Sequence, residues 1–204
     1  MKKIITTVFA IGIMTPLTAQ AGNVYVTAGA GVGKVTESSY DADPGVGFSF
    51  EADFDSGILL NGGIGYNFGN IRAEGAIQYQ KNDLDTISLF GGTADAGGDV
   101  EATSYMLNGY FDINPHAGIN PFVTAGIGAA RIEANDHSVG GLPIGSAEDT
   151  VFAWQVGAGL GFNLSERVAL DATYRYFSTD NPRFDVVEAE YASHNVSFNI
   201  RYNF

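Results

Sequence analysis

Cysteine is missing from all 204 residues, so neither a disulfide nor a thiolate metal site can hold this chain together. Basic residues are scarce: 10 Lys and Arg stand against 23 Asp and Glu, for a net charge of −13. A chain of that sign repels nucleic acid, and no basic patch interrupts it, so nucleic acid is excluded as a partner. The three histidines, His116, His137 and His194, are scattered, and no metal or cofactor site is read from them. Beyond the first 21 residues, no stretch approaches the roughly 20 apolar residues that a membrane helix requires. A membrane protein with this sequence has to cross with strands.

What is present begins with a leader. Lys2 and Lys3 precede a largely apolar run from Ile4 to Leu17, and Ala19-Gln20-Ala21 supplies small residues around a cleavage point. This is the pattern of a secretory signal peptide over 1–21, cut after Ala21 in Sec-type export. One domain is then expected over 22–204. Loss of Lys2 and Lys3 takes the net charge from −13 to −15.

At the other end, Val196, Phe198, Ile200, Tyr202 and Phe204 share one parity, and Asn195, Ser197, Asn199, Arg201 and Asn203 share the other. Side chains alternate across a strand, so this strand has an apolar face and a polar face. Seven earlier segments repeat the pattern, at about 23–33, 58–68, 71–80, 103–113, 121–131, 151–164 and 167–177. Each reaches the roughly 9–11 residues that a tilted strand needs to cross hydrocarbon. Short connections follow the second, fourth and sixth segments, and long Gly- and Asp-rich ones follow the first, third, fifth and seventh. The expected fold is all-β: an eight-stranded antiparallel up-and-down transmembrane barrel, with short periplasmic turns and long extracellular loops. An even count closes the sheet, as lipid demands of every backbone polar group. A soluble eight-stranded barrel would alternate too, but with its apolar face inside and its charges outside.

Several stretches resemble a known family. PFVTAGIGAAR at 121–131, QVGAGLGFNLSERVALDATYRYF at 155–177 and the terminal strand are similar to the eight-stranded barrels of the outer-membrane protein A-like and opacity-protein superfamily, often called porin-family proteins. The resemblance implies residence in the bacterial outer membrane, among its lipid and lipopolysaccharide. It also implies recognition of the C-terminal strand (Val196, Phe198, Ile200, Tyr202, Phe204) by the barrel-assembly machinery. It does not fix function, because such barrels include adhesins, structural proteins and lipid-modifying enzymes.

Two sets of residues are candidates for function. On the polar face, Arg72, Glu74, Gln78, Asp171, Arg175 and Arg201 fall at membrane depth, where ionisable groups are costly unless they pair. Eight strands leave an interior just wide enough for side chains, so these residues are expected to form a paired plug. In the long connections lie nineteen of the 23 acids, including Asp41, Asp43, Asp53, Asp55, Asp83 and Asp85. That display suits an envelope component or an adhesion-type surface protein with an extracellular host or matrix ligand. A small-solute channel is the alternative. A lipid A-modifying enzyme is weaker still: Ser193 and His194 are neighbours on one strand and cannot share a face for proton relay. The stretches DADPG (41–45) and NDLD (82–85) lack the spacing of a calcium loop and read as turn formers.

Overall fold

Period-two segments with one apolar face can be satisfied only if that face meets something apolar, and here the outside of a closed barrel does so. In the computed structural model the described residues are 23–36, 38–42, 49–89, 92–139, 142–180, 183–184, 187–189 and 191–204; the expected leader and Asp43 lie outside them. Twelve strands occur among these residues: β1 (Val24–Val35), β2 (Ser38–Ala42), β3 (Ser49–Phe54), β4 (Gly57–Asn67), β5 (Ile71–Leu89), β6 (Gly92–Asp112), β7 (Ile119–Val139), β8 (Leu142–Asn163), β9 (Val168–Thr179), β10 (Arg183–Phe184), β11 (Val187–Ala189) and β12 (Ala192–Asn203). Eight of them, β1, β4, β5, β6, β7, β8, β9 and β12, pair antiparallel in that order. The barrel closes where β12 returns to β1, in a register running from Tyr25 opposite Asn203 to Val35 opposite Ser193.

The short turns form as their residues dictate. Gly69 carries φ 101°, a left-handed conformation that glycine adopts without penalty, and it lets Phe68 N–H reach Ile71 O at 2.8 Å. Ser165 Oγ accepts from the Val168 amide at 3.1 Å to hold the turn into β9.

The strands on one side run far beyond the expected bounds. β5 continues nine residues past Gln80, and β8 begins nine before Val151. The connections read as loops after the third and fifth segments are instead hairpins, out to Leu89–Gly92 and Val139–Leu142. NDLD at 82–85 therefore lies within β5 rather than in a turn. Parity explains why alternation hid this. On β6, Tyr105, Leu107 and Phe111 point out toward lipid, and farther along the same outward parity carries Glu101, while Val100 and Ala102 turn inward and are buried. On β7, outward Ile127 gives way to outward Arg131, with Ala130 and Ile132 inside. Polarity inverts where lipid gives way to water, so one pattern becomes its opposite midway along a single strand. Bulges at Asp83/Thr86, Gly97/Asp99 and Ala134/His137 absorb the irregular upper registers. A small second sheet, ordered β10-β11-β2-β3, joins the upper part of β5.

The inversion also builds an apolar core above the polar residues expected to fill the lumen. Val35, Val100, Ala102, Met106, Ala130, Ile132, Ala153, Phe177 and Tyr191 pack together inside the outer end of the barrel. Below them the lumen is polar, and the outside is apolar: Ile64 is 62% exposed and Phe198 58%, whereas inward Arg72 is 1% exposed. The soluble alternative has the reverse arrangement and is set aside.

Candidate functional site

The polar lumen is built from inward residues that neighbouring strands bring to one level. Arg72 on β5 forms a two-bond fork with Asp112 on β6, Nε to Oδ2 at 2.7 Å and Nη2 to Oδ1 at 2.9 Å. Its remaining Nη1 lies 3.7 Å from Asp171 Oδ2 on β9. Arg201 on β12 forks onto the same Asp171 at 3.0 and 3.2 Å. Asn120 adds a donor to Asp112 at 2.8 Å. Aromatic rings enclose the guanidinium of Arg72: Tyr110 at 4.4 Å and Phe122 at 5.1 Å from their centroids, with Tyr25 at 5.9 Å. Two arginines and two aspartates thus form a neutral, buried layer toward the short-turn end.

The structure brings Arg72, Asp171 and Arg201 into one cluster, but it does not join Glu74 or Arg175 to it directly. Among the described residues neither makes an ion pair. Both meet Tyr110 instead, whose hydroxyl donates to Glu74 Oε1 at 2.8 Å and accepts from Arg175 Nη2 at 3.1 Å. Thr27 Oγ1 donates to Glu74 Oε2 at 3.2 Å. Gln78 is buried beside them. Asp112, the strongest partner of Arg72, was absent from the residues expected to form the plug. It has the inward parity of Asn108 and Tyr110, and that signal was available.

Glycine makes the rings fit. A Cβ at Gly159 would fall on the Phe122 ring, and one at Gly65 on the Tyr25 ring. Gly159→Val is therefore expected to cost about 1–3 kcal/mol through overpacking. Gly75, with nothing within 4 Å of its absent Cβ, is the control. Urea midpoints for the heat-modifiable folded form should fall for Gly159→Val and stay in place for Gly75→Val.

The outer surface has its own geometry. Above the lipid-facing aromatics, Lys81 Nζ reaches Glu101 at 3.0 Å and Asp99 at 3.1 Å, and these hydrogen bonds hold its ammonium above the ordinary lysine range. Arg131 contacts Glu148 and, at 3.0 Å, Glu133; the hydrogen bond to Glu148 raises its pKa most. Water and salt screen such exposed pairs, so they add little to stability. Asp55 and Asp83 are exposed, Asp41 lies in β2, Asp53 in β3 and Asp85 in β5. Farther round, His194 Nδ1 sits 2.6 Å from Tyr174 Oη on the outside, while Ser193 points inward toward Gln80. The two stand on opposite faces. Val196, Phe198, Ile200 and Tyr202 point outward from β12, and Phe204, one residue past its end, is exposed as well.

A closed eight-stranded barrel with an apolar exterior, a polar lumen and aromatics at both rims defines an outer-membrane β-barrel protein. The chain belongs to the Outer membrane protein beta-barrel domain family, which it matches over residues 4–204. It is 30% identical over 86 residues to outer membrane protein PagN of Salmonella typhimurium strain LT2, covering 39% of this chain. That match spans 35% of the relative, about a third of its length. Among solved structures, Neisserial surface protein A is similar with a TM-score of 0.56 at 19% identity, covering 89% of this chain and 97% of that one. The outer membrane protease OmpT of Escherichia coli reaches 0.57 at 9% identity, covering 91% and 98%. At such identities the likeness is one of fold alone.

Proposed function

We propose that this barrel is a non-enzymatic surface protein of the adhesion type, or an envelope component, acting through its acidic outer strands and connections rather than through its lumen. One observation carries the reading: polarity inverts at the membrane boundary, so carboxylates face water outside while the lumen beneath is filled. The inward polar residues Arg72, Glu74, Gln78, Asp171, Arg175 and Arg201 act as a plug together with Asp112. The opposite facing of Ser193 and His194 weighs against a hydrolytic relay. Outer-membrane lipid, lipopolysaccharide and a basic host or matrix ligand are the partners this surface suits. The outward aromatics of β12 suit recognition by the assembly machinery.

If the surface charge is functional, binding to a basic partner should weaken steeply as salt rises, because exposed charges are screened over about 8 Å at physiological ionic strength. Replacing Asp41, Asp43, Asp53 and Asp55 with Asn should lower the association rate more than it raises dissociation, since rim charges act on encounter. Heat-modifiable migration should be unchanged. Equal binding of both proteins to host cells, matrix and cation-loaded lipopolysaccharide would leave the charge a solubility role only.

A further inference from the structure

We infer that the lumen contains a built site for two water molecules, which complete a bridged ion pair between Glu74 and Arg175. The inference rests on the sealed-lumen reading, since only a closed lumen would hold such waters for long. Two adjoining cavities lie between the apolar layer and the charged layer, and Thr27, Asn61, Glu74 and Arg175 line both. Each has about 10 Å³ in which a water's centre can sit, roughly what one water needs when two to four polar partners surround it.

The partners are there, and the protein leaves them unused. In the first cavity, buried Asn61 Nδ2 and Gln155 Oε1 have no hydrogen-bond partner among the described residues. In the second, the same holds for Thr173 Oγ1, Arg175 Nε and Asn199 Oδ1. Gln155, Thr173, Arg175 and Asn199 are each more than nine-tenths buried. Buried polar atoms in native proteins are almost always paired, with protein or with ordered water.

Chemistry selects water over an ion. The inward charges already balance, Arg72, Arg175 and Arg201 against Glu74, Asp112 and Asp171. An anion would face the Glu74 carboxylate and the amide oxygens of Gln155 and Asn199. A cation would face Arg175 and the Asn61 amide hydrogens. Only a group that both donates and accepts answers donors and acceptors together. Glu74 and Arg175 share the Tyr110 hydroxyl on one side, and the two waters close the pair on the other.

The test uses the full protein, ¹⁵N-labelled at Arg and Asn, in detergent micelles. Water-to-protein cross-relaxation should reach Arg175 Nε–H and the Asn61 amide with the sign of long-lived water. Arg175→Lys assigns the first resonance by removing it. The signals should persist in Thr27→Val, which removes a hydroxyl that already donates to Glu74 and could relay the effect by proton exchange. Signals lost in that variant, or an assigned Arg175 Nε–H with no water contact, overturn the site. So does an Arg175 resonance that moves with chloride but not with sulfate, which would mark an anion instead. Planar bilayers separate the premises: a silent bilayer without water contacts sinks the site alone, and steady current sinks the seal.

Discussion

Arg72→Met is expected to destabilise the barrel by about 3–5 kcal/mol, the cost of stranding a buried charge by removing its partner. Arg72 is 1% exposed and is the fork partner of Asp112. Without it, among the described residues, the Asp112 carboxylate keeps the amide of Asn120 at 2.8 Å and the Asp171 carboxylate keeps Arg201. The rings of Tyr110 and Phe122 also lose the cation they enclose. The single tryptophan, Trp154, packs 5.6 Å from Tyr176 on the outside and serves as a fluorescence reporter for urea unfolding in lipid vesicles. Replacing both partners, Arg72→Met with Asp112→Leu, should recover much of the loss, because a well-packed apolar pair of similar volume is often no worse than a buried ion pair. Equal destabilisation of the single and double variants would mean that ring packing, not charge, dominates this layer.

The second large effect is on conduction. The wild-type barrel should give no stable unitary current in planar bilayers, because two unlike barriers stand in series. The outer barrier repels ions by leaving them without polar partners, and the inner one fills the section with paired side chains. Opening either alone leaves the other in place. Steady current is therefore expected only when Met106→Ala and Phe177→Ala are combined with Arg72→Ala and Asp112→Ala. A wild-type barrel that conducts steadily, with selectivity that shifts in Glu74→Gln or Arg175→Gln, would replace the surface reading with the channel alternative.

The part of the fold that lies in lipid was legible because hydrocarbon imposes one rule on every strand. Outward residues there must be apolar, so alternation from Val24 to Val32 or from Phe152 to Phe162 marks both the strand and its facing. The same rule hid the upper halves of β5 to β8. Once Glu101 and Arg131 face water and Val100 and Ile132 face inward, a strand no longer has the pattern that identified it below. Glycine and aspartate made those stretches resemble loops, yet backbone pairing with a neighbouring strand tolerates them when partners are long enough to zip together. At the site, parity placed the inward charges but not their pairing. Which carboxylate meets Arg72 depends on register, and the register of β5 against β6 sets Tyr110 opposite Arg72 with Asp112 one step beyond on the same face. No local pattern carries that information.

The hairpins of β6, β7 and β8, at 21, 21 and 22 residues, have a consequence for reach. At about 3.3 Å per residue and a tilt near 40°, such strands rise some 50 Å along the barrel axis, against an apolar band about 25 Å tall. About half of that length therefore stands clear of the lipid. A bacterial surface is crowded with sugar chains that hide anything flush with the membrane. A one-sided wall of hydrogen-bonded strands carries its upper strand ends, Leu89 and Gly92, Val139 and Leu142, at a height and bearing set by pairing, which a floppy connection of equal length could do only for a fraction of the time.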